Sequence, residues 1–90
     1  MYETIHVCGY ASCSFFYRAC VYASILKKRG VCKDYNIKGF DTRNEFFEWL
    51  ENDSPISQSM EHRTSPLVWA NENEYIGGCD SIQKLVNYDK

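Results

Sequence analysis

The chain is built around Val7-Cys8-Gly9-Tyr10-Ala11-Ser12-Cys13-Ser14-Phe15-Phe16-Tyr17-Arg18-Ala19. In this segment a short apolar run leads through a turn of small residues to Cys13, and a helical pattern follows. The order predicts that the Cys13 sulfur lies at a helix N-terminus, where unpaired backbone N–H groups and the helix dipole favour negative charge. Such a position commonly lowers the pKa of a thiol from about 8.5 to roughly 3.5–7.5. By itself the segment leaves two interpretations of Cys13 open, a nucleophilic thiolate and a small apolar residue.

Length and composition restrict the class of protein. Ninety residues make one small domain, which we place at residues 1–90, and the 16% aromatic content fits a compact core of large side chains. The net charge is −2 with the two signs interspersed, so we expect neither nucleic acid nor a membrane as a partner. The basic cluster Lys27-Lys28-Arg29 is interpreted as a helix C-terminus.

Cysteine usage and the first residues indicate the compartment. The residues Met1-Tyr2-Glu3-Thr4 lack the basic and then apolar pattern of a secretion signal. The cysteines are odd in number and show no repeated Cys-x-x-Cys unit of structural zinc sites; they are Cys8, Cys13, Cys20, Cys32 and Cys79. We therefore predict a reducing, cytoplasmic location and no metal site among these residues. Cys8, Cys20 and Cys32 are interpreted as structural, while a redox role of Cys79 stays open.

Hydrophobic periodicity predicts alternating strands and helices. Strand patterns occupy residues 4–8, 34–40, 67–70 and 75–76. Helix patterns occupy residues 14–29, residues 42 to about 52–55 after a capping box, and residues from 79 onward. A helical turn is also expected at residues 56–61. The order β-α-β-α-β-β-α predicts an α/β fold, with three or more helices flanking a four-stranded mixed sheet and residues 4–8 in a central strand.

Three separated pieces of the chain carry a family resemblance. They are the strand, loop, cysteine and helix at Cys13, the segment Thr64-Ser65-Pro66 before the third strand, and Gly77-Gly78-Cys79-Asp80 before the last helix. Together these pieces resemble the glutaredoxins of the thioredoxin-like superfamily, and the resemblance covers essentially the whole chain. It implies a thioredoxin-like fold and glutathione as a cosubstrate.

The resemblance also implies where glutathione binds. Pro66 would be cis, and Ser65 would offer its backbone N–H and C=O to the cysteinyl part of glutathione. The helix N-terminus at Gly78-Cys79-Asp80 would hold the γ-glutamyl carboxylate, and the Asp80 side chain would take the ammonium group. The expected glutathione-binding residues are Tyr10, Phe15, Arg63, Thr64, Ser65, Pro66, Gly78, Cys79 and Asp80.

The active-site motif departs from the family at two positions. The usual Cys-Pro-Tyr-Cys is Cys13-Ser14-Phe15-Phe16 here, so Phe16 stands in place of the second cysteine and is interpreted as a core residue. We therefore expect a monothiol route, in which Cys13 takes the glutathionyl group from a protein or small mixed disulfide and a second glutathione resolves it. Tyr10 stands where the family has a lysine or arginine, so we expect either a weaker preference for the thiolate or a substitute cation, which Arg63 or Arg43 would supply.

This route would make the protein a glutathione-dependent thiol–disulfide oxidoreductase. The sequence leaves two alternatives to that function. Ser14 replaces the proline after the active cysteine, and glutaredoxins without that proline can hold a [2Fe–2S] cluster between two subunits through the cysteine and bound glutathione. A low-activity glutathione-binding member is the other alternative, suggested by Tyr10 and Phe16. We favour the oxidoreductase, acting as a monomer on glutathione and glutathionylated proteins.

Overall fold

The computed structural model describes residues 2–54 and 65–88. Within these ranges the order of elements is β-α-β-α-β-β-α, as predicted. The strands are β1 (Tyr2–Tyr10), β2 (Cys32–Phe40), β3 (Leu67–Ala70) and β4 (Glu74–Gly77). The helices are α1 (Ser14–Lys28), α2 (Arg43–Asn52) and α3 (Cys79–Tyr88). The helical turn predicted at residues 56–61 lies outside the described residues.

The four strands form one mixed sheet in the order β2-β1-β3-β4. β1 pairs in parallel with β2, so that Val7 lies opposite Ile37, and antiparallel with β3, so that Val7 lies opposite Val68. A parallel neighbour requires a long crossover, which α1 provides, whereas β3 and β4 need only the short turn at Asn71. The predicted central position of the first strand is confirmed.

Among the described residues, side chains on each face of the sheet form a separate hydrophobic core. The core between the sheet, α1 and α3 includes Ile5, Val7, Phe16, Leu26 and Ile82. The core between the sheet and α2 includes Cys8, Phe46, Leu50, Leu67 and Trp69. Each large apolar side chain that is fully buried contributes roughly 1.5–3 kcal/mol. The helices therefore cover both faces, with α1 and α3 on the face that carries the site described below.

Local signals account for the ends of the first two helices. α1 ends before Gly30, which adopts the left-handed conformation (φ 80°) expected after the basic last turn. At the start of α2 the Thr42 hydroxyl accepts a hydrogen bond from the Glu45 N–H at 3.2 Å, as the capping box predicts. The Glu45 carboxylate accepts from the Thr42 hydroxyl, not from the backbone. In the described part of the chain no helix has the length and apolar character needed to cross a membrane.

Candidate functional site

Cys13 is the N-cap residue of α1, which confirms the predicted position of its sulfur. Its backbone is extended (φ −93°, ψ 114°), its N–H donates to the Tyr10 carbonyl at 3.0 Å, and its carbonyl accepts from the Phe16 N–H at 3.2 Å. Within the described residues its side chain makes no capping hydrogen bond, and the first turn of α1 has no acidic residue. The backbone N–H groups of Ser14 and Phe15, which precede the first hydrogen bond of the helix, are therefore available to negative charge on the sulfur.

The Cys13 thiol lies against the segment that enters β3. It donates to the Ser65 carbonyl oxygen with an Sγ···O distance of 3.7 Å, and the Ser65–Pro66 peptide bond is cis, as the resemblance implies. Cys13 is only 8% exposed. Thiol–disulfide exchange requires an accessible sulfur, so a substrate must approach Cys13 through this small exposed part.

A cleft of about 350 Å³ lies beside this segment. It is lined by Phe15, Ser65, Gly78, Cys79, Asp80 and Ser81. The first five of these are predicted glutathione-binding residues, and they come from α1, the start of β3 and the start of α3. A volume of this size is in the range of small-molecule sites, which is roughly 300–1,000 Å³. The fold therefore brings most of the predicted set together in one cleft.

Two other predicted residues do not line the cleft. Tyr10 ends β1, and its ring packs on Phe46 of α2 with the ring centroids 5.9 Å apart. Its link to the thiol is through its backbone carbonyl, which accepts from the Cys13 N–H. Pro66 is fully buried at the entry to β3.

Of the two substitute cations proposed from the sequence, only Arg43 is among the described residues, and it does not line the cleft. Arg63 is outside the described residues, as is the predicted glutathione-binding residue Thr64. Arg43 begins α2, and its guanidinium carbon lies 5.2 Å from the centroid of the Phe47 ring. Arg43 is therefore held by an aromatic contact on the opposite face of the sheet.

The start of α3 forms the polar wall of the cleft. Gly77 adopts φ 135°, a conformation that favours glycine, and this lets the chain turn from β4 into the helix. The Gly78 carbonyl accepts from the N–H groups of Ser81 and Ile82 at 3.1 and 3.2 Å, so the helix begins there. The N–H groups of Cys79 and Asp80 have no partner inside the helix because they belong to its first turn. This end of α3 combines backbone donors with the exposed carboxylate of Asp80.

Comparison with solved structures supports the architecture. The chain is similar to the crystal structure of glutaredoxin 1 from Francisella tularensis complexed with cacodylate, with a TM-score of 0.57 and 15% sequence identity. The match covers 94% of this chain and 93% of that chain. This is a glutaredoxin fold. No protein-family model matches the chain, and no curated protein matches it, so the likeness is one of fold.

Phe16 packs so closely on β1 in this glutaredoxin fold that the strand has no room for a side chain at Gly9. Its side chain is 4% exposed and lies on the backbone of Gly9 and Gly39. A Cβ atom on Gly9 would lie 2.5 Å from the Phe16 ring, and one on Gly39 would lie 3.4 Å from it. The interpretation of Phe16 as a core residue is confirmed, and no second thiol is present at this point of the motif.

Burial holds the four other cysteines of the glutaredoxin fold in their neutral form. It raises the pKa of Cys8 to about 12, although the Lys38 ammonium opposes the rise. Burial also raises the pKa of Cys20, Cys32 and Cys79. All five cysteines are unbridged. Within residues 2–54 and 65–88, no group of three or more His, Cys, Asp or Glu side chains is arranged to hold a metal ion.

The sequence did not single out Ser81, which lines the cleft, or Arg18, which contacts the lining residue Phe15. Ser81 directly follows Asp80. Arg18 lies on α1 with its guanidinium carbon 5.6 Å from the centroid of the Phe15 ring. The available signal for Arg18 was its spacing, since a residue three positions after Phe15 shares its helix face. No comparable signal marked Ser81.

Proposed function

We propose that this protein is a glutathione-dependent thiol–disulfide oxidoreductase that works through Cys13 alone. The supporting observation is the N-cap thiol of α1 beside a cleft that combines the Ser65 backbone with the start of α3. We further propose that it acts in the cytoplasm, as a monomer, on glutathionylated proteins or small mixed disulfides. The glutaredoxin fold is consistent with this chemistry.

Glutathione binding follows from the chemistry of the cleft walls. The N–H groups of Cys79 and Asp80 suit the γ-glutamyl carboxylate, and the Asp80 carboxylate suits the adjoining ammonium group. The backbone of Ser65 lies next to the thiol and suits the cysteinyl part of the tripeptide. The Phe15 side chain is 51% exposed, so its ring offers an apolar surface to the bound molecule.

The reaction consists of two exchanges at one sulfur. The Cys13 thiolate attacks the glutathione sulfur of a mixed disulfide; a Cys13–glutathione disulfide forms, and the client leaves as a thiolate that takes up a proton. A second glutathione thiolate then attacks the glutathione sulfur held on Cys13. Glutathione disulfide leaves, and the Cys13 thiolate is regenerated. The N-terminus of α1 favours this thiolate both as nucleophile and as leaving group.

The decisive experiment measures reduction of a small glutathionyl mixed disulfide, with glutathione reductase recycling the glutathione disulfide. We expect Cys13→Ser to abolish the activity. Cys20→Ser, on the same helix, is the matched control and should retain it. If wild type and Cys13→Ser turn over equally, the proposed function is wrong.

A mass measurement after exposure to glutathione disulfide tests the same assignment without turnover. Wild type should gain a single glutathionyl group on Cys13, because burial raises the pKa of the other four thiols. Attachment to a different cysteine contradicts the mechanism.

The [2Fe–2S] carrier is the second candidate, and Ser14 in place of proline is the residue that favours it. Thiolate ligation from two chains would require a dimer formed with glutathione. Reconstitution with iron, sulfide and glutathione, followed by visible absorption and gel filtration, distinguishes the two. A coloured, glutathione-dependent dimer would establish the carrier function, and a colourless monomer leaves the oxidoreductase.

A further inference from the structure

The cation Arg18 lies on the ring of a residue that lines the cleft. The Arg18 guanidinium carbon lies 5.6 Å from the centroid of the Phe15 ring, and Phe15 lines the cleft. Burial raises the pKa of the Cys79 thiol, and the positive charge of Arg18 opposes that rise. Arg18 is therefore in contact with an α1 residue of the cleft wall, and its positive charge acts on Cys79, the first residue of α3.

No protein carboxylate neutralises this guanidinium within residues 2–54 and 65–88. The ion pairs in these ranges are Lys27–Asp34 and Lys33–Glu3. The acidic residue of the cleft, Asp80, belongs to neither pair. Because the Phe15 ring contacts the guanidinium through its face, the N–H donors at the guanidinium edge remain available to a ligand. The Arg18 guanidinium and the Asp80 carboxylate thus present a positive and a negative charge that are not paired with each other.

These two groups match the end of a γ-glutamyl residue. Its α-carbon carries a carboxylate and an ammonium group. The carboxylate needs a cation with N–H donors, and the ammonium group needs an anion. A guanidinium binds a carboxylate through two parallel hydrogen bonds, which a helix N-terminus alone cannot provide in the same geometry. Asp80 remains the partner of the ammonium group.

On the basis of the proposed function, we propose that Arg18 binds the γ-glutamyl α-carboxylate of glutathione together with the N-terminus of α3. Arg18 is then a specificity-determining residue, because it adds an electrostatic contact that a thiol without a γ-glutamyl group cannot use.

The test compares three mixed disulfides of one small thiol, formed with glutathione, with γ-glutamylcysteine and with cysteinylglycine. We expect Arg18→Gln to raise KM about tenfold for the first two, the effect of losing a hydrogen bond to a charged group, with kcat little changed. Its KM for the cysteinylglycine disulfide should stay unchanged. Arg18→Lys should lie between wild type and Arg18→Gln, because it keeps the charge without the planar fork. Lys28→Gln, an exposed cation at the far end of α1, is the matched control and should behave as wild type.

Binding of S-methylglutathione provides a readout that is independent of turnover. Its dissociation constant should rise about tenfold in Arg18→Gln and remain unchanged in Lys28→Gln. An equal loss with all three disulfides, or equal behaviour of Arg18→Gln and Lys28→Gln, overturns the assignment. If wild type itself fails to reduce the glutathionyl disulfide, the proposed function fails first. If wild type is active and Arg18→Gln behaves like it, the Arg18 proposal is wrong and the proposed function still stands.

Discussion

The Ser65 hydroxyl oxygen is buried and has no hydrogen-bond partner among the described residues. It lies where a Cβ atom on Gly9 would be 2.6 Å away, so it fits only because Gly9 has no side chain. The Ser65 carbonyl, in contrast, accepts the hydrogen bond from the Cys13 thiol. At the scale of single residues, the backbone of Ser65 contacts the thiol, and its side-chain oxygen is unpaired within the described residues.

Ser65→Ala should therefore stabilise the protein without loss of activity. An unpaired buried hydroxyl costs about 1–3 kcal/mol, so the free energy of unfolding should rise by about 1 kcal/mol. Urea unfolding measures the change, and the glutathione-coupled assay checks that kcat/KM is preserved. Reduced activity at full stability would mean that the hydroxyl itself serves the site.

At the scale of elements, α1 rests on the sheet through the Phe16 ring. The ring lies on Gly9 in β1 and Gly39 in β2, two neighbouring residues of the parallel pair. The Cys13 N–H donates to the Tyr10 carbonyl at the end of β1, and the Phe16 N–H donates to the Cys13 carbonyl. The height of Phe16 above the sheet therefore sets the position of the thiol relative to Ser65.

Gly9→Ala should destabilise the fold and lower the activity together. The new Cβ would lie 2.5 Å from the Phe16 ring, and overpacking of this kind typically costs about 1–3 kcal/mol. Gly39→Ala is the matched control, since its Cβ would lie 3.4 Å from the ring and needs only a small adjustment. Urea unfolding and the coupled assay compare the two variants. Equal effects of Gly9→Ala and Gly39→Ala would contradict the proposed support of α1.

At the scale of the whole molecule, the sheet separates two chemically different cores. The face covered by α1 and α3 carries the thiol and the cleft. The face covered by α2 holds an aromatic cluster around Cys8, which includes Phe46 and Trp69. Burial raises the pKa of Cys8 to about 12, so this core keeps its thiol protonated well above neutral pH.

Stability should consequently fall as pH rises above 9. Up to about pH 9, the ordinary value of a thiol, Cys8 is protonated in the folded and the unfolded chain. Between pH 9 and about 12 only the unfolded chain loses this proton, which lowers the free energy of unfolding by up to about 1.4 kcal/mol per pH unit. Between pH 7 and 11 the measured free energy of unfolding should fall less steeply in Cys8→Ala than in wild type. Parallel pH profiles of the two proteins would disprove this origin of the alkaline loss.

The sequence by itself determined the order of the elements and the position of Cys13 at a helix start. These features depend on neighbouring residues: the apolar spacing of α1, Gly30 after its basic turn, and the threonine cap of α2. The pieces Ser65-Pro66 and Gly78-Cys79-Asp80 could be assigned to one site only through a family resemblance. Strand ends were less predictable, because β1 extends over Tyr2–Tyr10 through its pairing with β2.

Only the tertiary structure decided what surrounds the thiol. It turned the Tyr10 ring towards α2, left Cys13 8% exposed, brought Ser81 to the cleft wall and placed Arg18 on the Phe15 ring. Each of these outcomes depends on contacts between residues far apart in the chain, and above all on how closely α1 approaches the sheet and α3. Hydrophobic periodicity specifies which face of a helix is buried. Packing of the complete fold specifies the distance at which that face lies, and with it the partners of every side chain at the site.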